Sequence, residues 1–443
     1  MAISDHEFST QQQSWYDTAC AKINQKRLQS LIFDLTGIHS PTGAERAASE
    51  FLVDYLRGVG IDAEYQPINE RTGNCIGRIK GSGGGPTLML YAPIDTHLDV
   101  VPDKDLPWAG RELRDDMKPV AENRGDTVIG LGASNPKSML ATLVEVATCI
   151  AESGAELKGD VIVATCGGGM PWIVPERDNF GISSGVMHLL SHGTAPDLGI
   201  IFKPWDEIYY EHPGMCWFKV TTWATMGYAG MPRGMPGFNS SVVPAAKVIM
   251  ELEQWLSEYP DKHESDQLRP EGWISAVRGG WPEKPAFPSA ATEIYFDVRT
   301  TPEQTNANLE AEFGDVMRGI MARHDDVKAE WEMFVSCRAS RTEPDHWIVQ
   351  SAQRGWEARH GKSYPGAPKM SGQTDAATIC RMGIPLVRVG YPWVGDKEMP
   401  EEFSEGLGGM GVAHVPDLIG PCQSMIYSVI DTCSRTREEV GLS

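Results

Sequence analysis

The segment TLMLYAPIDTHLDVVP, residues 87–102, contains the pattern on which the fold assignment rests. Its first six residues form an almost uninterrupted apolar run, which is typical of a strand buried on both faces of a sheet. Two similar runs follow, DVIVAT at 160–165 and LGIIF at 198–202, and a helical pattern at 137–153 separates the first two. Strands that alternate with helices predict a largely parallel α/β sheet.

A different pattern begins near residue 214. WFKVTTW at 217–223 and the strand at 293–298 alternate apolar and polar residues, as strands with one exposed face do. Predicted helices at 243–256 and 302–323 and a strand at 327–334 complete a strand–helix–strand–helix–strand order. We therefore predict an α/β domain formed by residues 1–214 and 337–443, which a smaller α+β domain at 215–336 interrupts.

The composition restricts the class of protein. The 443 residues include 39 Lys and Arg against 60 Asp and Glu, which gives a formal net charge of −21. This excess of acids argues against binding to nucleic acid or to an anionic membrane surface. No apolar run approaches the ~20 residues of a membrane span, and no secretory signal pattern is present. Nine scattered cysteines without a C-x-x-C pair favour a cytoplasmic protein with reduced thiols.

The polar end of the opening segment is the first candidate site. His97 and Asp99 follow a predicted parallel strand, and the carboxyl ends of such strands are where open α/β sheets place their sites. A carboxylate that accepts a hydrogen bond from an imidazole fixes its tautomer, in metal sites and in catalytic ones. We therefore expect His97 and Asp99 to act as a pair.

Further motifs follow in a fixed order. They are Gly130-Leu131-Gly132-Ala133-Ser134-Asn135-Pro136-Lys137, Gly237-Phe238-Asn239, Ser371-Gly372-Gln373-Thr374-Asp375-Ala376 and Ala413-His414. In this order and spacing the chain resembles the zinc-dependent amidohydrolase family of aminoacylase, carboxypeptidase G and succinyl-diaminopimelate desuccinylase. The resemblance implies a zinc-peptidase-like α/β domain with an inserted ferredoxin-like lid, which often mediates dimerisation. It also implies that two zinc ions and a Glu general base activate a water to attack an amide carbonyl.

Some motif positions hold the residues that the resemblance implies. His97 matches the first metal ligand, Asp99 its supporting carboxylate, and His414 a ligand of the other metal. Asp375 also matches the family pattern.

Other positions depart from the family pattern. The metal-bridging Asp falls on Asn135, the acid of a later ligand falls on Lys203, and the lid histidine that polarises the substrate carbonyl falls on Tyr228. The strand that should end in a Glu-Glu pair, general base and then ligand, reads TCGGGM at 165–170.

These departures bear directly on the metal. Two divalent ions ~3.5–4 Å apart repel each other, and ligating carboxylates offset that repulsion. We therefore expect no paired zinc centre and assign no metal ligands. A single divalent ion held by His97 and His414, with a further acid such as Glu176 or Asp178, stays open as an alternative.

The substitutions indicate a different chemistry at the same place. Lys203 can replace zinc as the electrophile that binds the carbonyl oxygen. Cys166, which precedes three glycines, is either an activated nucleophile or a buried structural thiol. We assign catalytic roles to His97, Asp99, Lys203, Cys166 and His414.

Substrate contacts are expected from a second group of residues. These are Asn135, Tyr228, Asn239, Arg299, Gly372 and Asp375. Candidates for binding an anionic group of the substrate are Lys203, Arg233 and Arg299. For Arg299 the alternative is a structural salt bridge. Tryptophans 172, 205 and 393 would suit a flat aromatic or heterocyclic substrate.

The sequence therefore predicts a hydrolase of C–N, amide-type bonds that acts on a small carboxylate-bearing molecule. The tryptophans favour an aromatic or heterocyclic ring in that molecule. We expect a homodimer formed through the inserted domain. Because the general-base Glu is absent, the alternative is an inactive homologue that binds a ligand or serves as a partner subunit.

Overall fold

The computed structural model describes residues 7–232, 235, 238–394, 399–403 and 410–443. Its α-helices, in chain order, are α1 Thr10–Cys20, α2 Gln25–Thr36, α3 Arg46–Gly58, α4 Pro102–Ala109, α5 Met139–Ser153, α6 Ser184–Ser191, α7 Val242–His263, α8 Asn306–Arg323, α9 Trp347–His360, α10 Ala376–Arg381 and α11 Ile419–Cys433. Its strands are β1 Asp62–Pro67, β2 Gly73–Ile79, β3 Leu88–Pro93, β4 Glu122–Arg124, β5 Thr127–Ile129, β6 Val161–Cys166, β7 Leu198–Pro204, β8 Glu211–His212, β9 Gly214–Trp223, β10 Gly272–Gly279, β11 Ala291–Thr300, β12 Ala329–Cys337, β13 Ser340–Arg341, β14 Leu386–Tyr391 and β15 Val412–His414.

The chain divides into two units. The first comprises Met1–Tyr210, Thr342–Ala367 and Thr374–Ser443, and the second comprises Glu211–Arg341 and Pro368–Gln373. Gly372, which the sequence boundaries place in the first domain, therefore belongs to the second unit.

The first unit contains a six-stranded sheet in the order β1-β2-β6-β3-β7-β14. Strand β3 runs parallel to β6 and β7, and β14 runs parallel to β7. Strands β1 and β2 are antiparallel additions at one edge. The predicted α/β class is confirmed, and the apolar runs of β3, β6 and β7 are buried on both faces. Because the four parallel strands share one direction, their carboxyl ends meet at the same edge of the sheet.

The two faces of this sheet pack against different cores. Phe202 of β7 belongs to the larger core, whereas Ile201 packs with Tyr91 and Cys166 in a smaller one. Alternate residues of a strand point to the same face. Lys203 therefore lies on the face of Ile201, Tyr91 and Cys166.

The second unit has the order β9-α7-β10-β11-α8-β12, and its strands form an antiparallel sheet in the order β10-β11-β9-β12. This is the ferredoxin-like topology that the resemblance implies. The sequence missed β10, because its edge position leaves most of its side chains exposed and removes the apolar alternation. The core of the unit contains the clustered rings of Phe218, Phe296 and Phe313.

One further element differs from expectation. No helix was predicted between His97 and residue 137, yet α4 forms there. The buried Asp105 carboxylate accepts hydrogen bonds from the backbone N–H of Val101 at 2.8 Å and of Asp99 at 3.3 Å, which satisfies donors at the start of this helix. Within the described ranges, no helix is both long and apolar enough to cross a membrane. All nine cysteines are free thiols.

Candidate active site

The loop after β3 is held at the sheet edge by Asp95. Its carboxylate accepts hydrogen bonds from the N–H of Gly169 at 3.0 Å, the N–H of Met170 at 2.8 Å and the hydroxyl of Thr42 at 2.7 Å. Asp95 is fully buried, and burial raises its pKa although these hydrogen bonds oppose the rise. Asp95 was not among the predicted site residues, and its position two residues before His97 was the only signal.

Asp375 is a second buried carboxylate at this edge. It accepts a hydrogen bond from the hydroxyl of Tyr91 at 2.6 Å and another from the hydroxyl of Ser183 at 2.7 Å. Burial raises the pKa of Asp375 to about 6, and Lys203 opposes the rise. Ser183 has a φ of 69°, in the left-handed region, so the backbone is strained where its side chain meets Asp375.

Lys203, near the end of β7, is a buried cation at this edge. It is 9% exposed, and among the described residues its ammonium group has no hydrogen-bond or ion-pair partner. Burial lowers the pKa of Lys203 to about 8, with Asp375 and Asp95 opposing the fall and Arg388 adding to it. A buried donor without a partner costs free energy unless a ligand or water satisfies it. Lys203 is thus available to bind an oxygen atom.

A second buried lysine is fully engaged. Lys137 is completely buried and donates to the hydroxyl of Ser40 and, at 3.4 Å, to the carbonyl oxygen of Ile38. Burial lowers its pKa to about 7, while the charges of Asp95 and Glu45 oppose the fall. Lys137 therefore ties the Gly-rich segment that contains it to the turn before α3.

Glu45 lies beside the loop that follows β6. Its carboxylate accepts hydrogen bonds from the N–H of Gly43 and of Gly168, both at 2.8 Å. Burial and the charge of Asp95 raise the pKa of Glu45 to about 7. The sequence did not single out Glu45 as a site residue, because an acid that begins a predicted helix is common.

His97 borders a cavity of about 570 Å³ in the first unit. The lining residues are His97, Lys104, Asp105, Trp108, Met170, Pro171, Trp172 and Glu176. The rings of His97 and Trp108 are 6.0 Å apart, and Nδ1 of His97 is buried with no hydrogen-bond partner among the described residues. Burial lowers the pKa of His97 to about 4, so the imidazole is neutral at pH 7. The cavity therefore has aromatic walls and is bordered by a neutral imidazole.

The prediction that Asp99 pairs with His97 is wrong. Its carboxylate accepts hydrogen bonds from Arg177 and, at 3.0 Å, from Lys104. Burial favours a higher pKa for Asp99, but these two cations lower it. Lys104 also donates to Glu176 at 2.8 Å. Two cations provide stronger partners than a neutral imidazole, and this explains the outcome.

Cys166 has the surroundings of a structural thiol. It is 0% exposed, packs in the smaller core, and has a pKa well above its ordinary value, because burial disfavours the thiolate. A nucleophilic cysteine needs an accessible thiolate. The structure therefore favours the structural alternative for Cys166.

Asn135 and His414 lie on neighbouring segments. The N–H of Asn135 donates to the carbonyl oxygen of Met410 at 3.1 Å, a few residues before β15, which ends at His414. Oδ1 of Asn135 and Nδ1 of His414 are both buried and without a hydrogen-bond partner among the described residues. Nδ1 of His414 is 3.1 Å from Oδ2 of Asp417, but outside hydrogen-bond geometry.

These segments connect to the end of β7. The hydroxyls of Ser134 and Tyr391 are 2.9 Å apart, and Tyr391 pairs with Pro204 in the register of β14 and β7. Hydrogen bonds and strand pairing therefore connect the segments of the first unit that contain Asn135, His414 and Lys203.

The remaining predicted substrate residues belong to the second unit. Tyr228 is exposed, and its ring is 5.7 Å from that of Phe287. Asn239 lines a separate cavity of about 370 Å³ in this unit. Arg299 forms an ion pair with Asp297, with Nε 2.8 Å from Oδ1, which matches the salt-bridge alternative. Gly372 lies in the short segment 368–373, and Arg233 is outside the described residues.

The tryptophans fall into two places. Trp172 lines the cavity beside His97, and the guanidinium of Arg177 lies 5.7 Å from its ring centre. Trp205 and Trp393 follow β7 and β14, and their partly exposed rings stack with centres 6.0 Å apart.

The donor set does not fit the paired zinc centre that the resemblance implies. In the part of the chain that the structure describes, no group of three or more His, Cys, Asp or Glu side chains is arranged to hold a metal ion. At two positions where the resemblance implies ligating carboxylates, the chain has the ammonium group of Lys203 and the amide of Asn135. The carboxylates of Asp95 and Asp375 are occupied by N–H and O–H donors. We therefore derive no step through a metal ion.

Comparison with known proteins gives consistent matches. The model of peptidase family M20/M25/M40 matches residues 94–405. The N-formyl-4-amino-5-aminomethyl-2-methylpyrimidine deformylase of Bacillus subtilis strain 168 is 24% identical over 433 residues, which cover 90% of this chain and 92% of that protein.

Solved structures with the same fold cover nearly the whole chain. Human carnosine dipeptidase 1 has a TM-score of 0.68 and 11% identity, and the match covers 96% of this chain and 100% of that chain. A tripeptidase from Staphylococcus aureus has a TM-score of 0.65 and 16% identity, with 94% and 100% covered. A dinuclear metal-binding M20 peptidase of Bacillus subtilis has a TM-score of 0.59 and 16% identity, with 92% and 98% covered. At these identities the likeness establishes the fold.

Proposed function

Because this chain belongs to peptidase family M20/M25/M40, we propose that it is a hydrolase that cleaves a C–N bond of a small molecule with Lys203 in place of a paired metal centre. The ammonium group of Lys203 supports this most directly, because it is buried and has no partner among the described residues. Burial strengthens the electrostatic interaction between such a donor and a carbonyl oxygen.

The chemistry assigns separate tasks to two side chains. Lys203 donates a hydrogen bond to the carbonyl oxygen and stabilises the negative charge that develops when water attacks the carbonyl carbon. His97, neutral at pH 7, accepts a proton from that water and returns it to the departing amine. The C–N bond breaks, and the products are a carboxylic acid and an amine.

The cavity beside His97 supports an aromatic or heteroaromatic substrate. Trp108 and Trp172 are in its wall, and Met170 adds a polarisable side chain. Planar rings stack favourably on indoles, and sulfur contacts aromatic rings favourably. The deformylase relative acts on a substituted pyrimidine, which is the same class of ring.

The test is an amide panel with matched variants. N-formyl, N-carbamoyl and N-acetyl derivatives of aminomethylpyrimidines and of aromatic amino acids would be assayed by amine release. Lys203→Met should lower kcat by about 10²–10³, the usual effect of removing an oxyanion donor. Lys203→Arg, which keeps the charge, should retain part of the activity. Full activity in Lys203→Met would contradict the proposed role.

A ligand-binding homologue without catalysis is the second candidate, and the loop after β6 favours it. An added Cβ at Gly167 would be 2.5 Å from Oγ1 of Thr72 and 3.0 Å from Oε2 of Glu45, so the loop in which the family places its general base has no room for a longer side chain at this position. Calorimetry on the same panel separates the candidates. Binding without amine release from any member would support the second.

We also retain the homodimer and the cytoplasmic location as proposals. Strand β10 is an edge strand whose Trp273 is exposed, and pairing with a second copy would cover it. Light scattering on the wild type and on Trp273→Ser tests the dimer, and a monomeric wild type would exclude it.

The proposed cytoplasmic location rests on the cysteines, because nine free thiols suit a reducing compartment.

A further inference from the structure

The two buried lysines of the first unit have opposite surroundings. Lys137 is completely enclosed, and its ammonium group donates to the Ser40 hydroxyl and the Ile38 carbonyl oxygen. Lys203 keeps 9% of its surface exposed and has no such acceptor among the described residues. An enclosed, hydrogen-bonded amine cannot meet a ligand atom. Lys203 keeps a small exposed fraction and, once deprotonated, has the free lone pair that nucleophilic attack requires.

The position of Lys203 is fixed by close packing at the ends of β7 and β14. Gly390 lies so near that an added Cβ would overlap the carbonyl oxygens of Lys203 and Trp205. Trp205 has a φ of 75°, in the left-handed region, and the buried guanidinium of Arg388 lies 5.4 Å from its ring centre. Strained backbone of this kind persists only where the surroundings hold it, and it concentrates at functional sites.

A carboxylate accompanies the amine. Asp375 is held by Tyr91 and Ser183 through hydrogen bonds of 2.6 and 2.7 Å, and its charge acts on Lys203. The carboxylate of Asp375 and the amine of Lys203 are not within ion-pair distance, so the amine stays available for reaction. This combination of a desolvated lysine and a positioned carboxyl group suits amine chemistry with carbonyl compounds.

We propose that Lys203 is a covalent carbonyl-binding site, whose amine forms an imine with an aldehyde or ketone. The amine nitrogen attacks the carbonyl carbon, the amine gives up its two hydrogens, and the carbonyl oxygen leaves as water. The new bond is C=N, and no oxidant or reductant is consumed.

This activity goes beyond amide hydrolysis and does not depend on it. An amide carbonyl is too weakly electrophilic to form an imine, so an amide bound at Lys203 would stay non-covalent. Aldehydes and ketones at the same place would react. Each activity has its own assay, and either can fail while the other stands.

The test is reductive trapping on the full-length wild-type protein. Limiting 4-pyridinecarboxaldehyde is added with sodium cyanoborohydride, whose hydride reduces the C=N bond to a stable secondary amine. Peptide mass spectrometry then locates and quantifies the label. At pH 7, an amine with a pKa near 8 has a neutral fraction roughly 200 times that of an exposed lysine. We expect labelling at Lys203 at least ten times faster than at exposed lysines.

Internal controls make the outcome decisive. Lys137, buried and hydrogen-bonded, should stay unlabelled in the same sample, and Lys104, exposed and ion-paired, should react slowly. Unfolding in urea should abolish the preference for Lys203. Lys203→Met should remove most of the label that the wild type acquires in the same reaction time. Labelling spread over exposed lysines, with Lys203 unmodified in the native protein, would overturn the proposal.

The pH dependence supplies an independent readout. Labelling at Lys203 should rise up to about pH 8 and then level off, because burial, together with Asp375, Asp95 and Arg388, sets its pKa at about 8. Exposed lysines should continue to gain reactivity to about pH 10. Parallel profiles for Lys203 and the exposed lysines would count against a special amine.

Discussion

Tyr91 donates its phenolic hydrogen to the carboxylate of Asp375 over 2.6 Å, although the two residues are 284 positions apart in the chain. This bond joins β3 to the residue that precedes α10. Both groups are fully buried, so neither can exchange its partner for water. The hydrogen bond therefore fixes the carboxylate whose charge acts on Lys203.

Removal of this hydrogen bond should destabilise the fold. Tyr91→Phe leaves a buried carboxylate oxygen without one of its donors, which typically costs about 1–3 kcal/mol. Urea unfolding would measure the change in the free energy of unfolding. Tyr228→Phe, at an exposed tyrosine, is the matched control and should change it by less than about 0.5 kcal/mol. Equal losses in both variants would contradict a special role for this bond.

The hydrolytic rate should fall on the alkaline side near pH 8. Burial lowers the pKa of Lys203 to about 8, so the amine loses its charge above that pH and no longer stabilises the oxyanion. In Lys203→Arg the guanidinium stays charged, and the fall should move above pH 10. Initial rates from pH 6 to 10 would show this. If the rate of Lys203→Arg fell at the same alkaline pH as that of the wild type, the charge of Lys203 would not control the rate.

The wild type should contain fewer than two zinc ions per chain after purification from zinc-supplemented medium. The double variant Asn135→Asp with Lys203→Glu restores carboxylates at two positions where the resemblance implies metal ligands, and metal content should then increase by at least one equivalent. Elemental analysis by mass spectrometry gives both values. Two zinc ions per wild-type chain would refute the interpretation that these substitutions abolish the paired zinc centre.

Gly390→Ala should destabilise the protein and disturb the end of β7. Its new Cβ would overlap the carbonyl oxygens of Lys203 and Trp205, so the backbone must shift, at a cost of about 1–3 kcal/mol. Gly58→Ala is the control, because nothing lies within 4 Å of its Cβ position at the end of α3. Denaturant unfolding should show no loss in that variant. Similar stability in both variants would mean that the strand ends can separate freely.

Glu45 should make stability depend on pH. Burial and Asp95 raise its pKa in the folded state from 4.5 to about 7, so between these pH values the folded state binds more protons than the unfolded state. Stability from this residue is therefore present at low pH and lost as pH rises through that window. The free-energy difference between wild type and Glu45→Gln, measured from pH 4.5 to 7.5, should fall with pH. A difference independent of pH would show that Glu45 titrates normally.

Local patterns in the sequence predicted most of the architecture. Apolar runs such as 87–92 predicted the buried parallel strands, and alternation at 293–298 predicted β11, whose residues alternate between buried and partly exposed. The motif order predicted the family, and the placement of His97 and Lys203 at strand ends followed from the strands. Strand β10 was not predicted, because an exposed edge strand lacks the alternation of apolar and polar residues on which strand prediction depends.

By itself, the sequence determined the α/β class and the inserted domain, because these depend on periodicity and on residue order. Only the tertiary structure decided which groups are paired. Asp99 binds Arg177 and Lys104 rather than His97, and within the described part of the chain Lys203 has no partner while Lys137 has two. Hydrogen-bond partners and burial depend on contacts between distant parts of the chain, which no local pattern encodes. The chemistry proposed for Lys203 follows from that long-range packing.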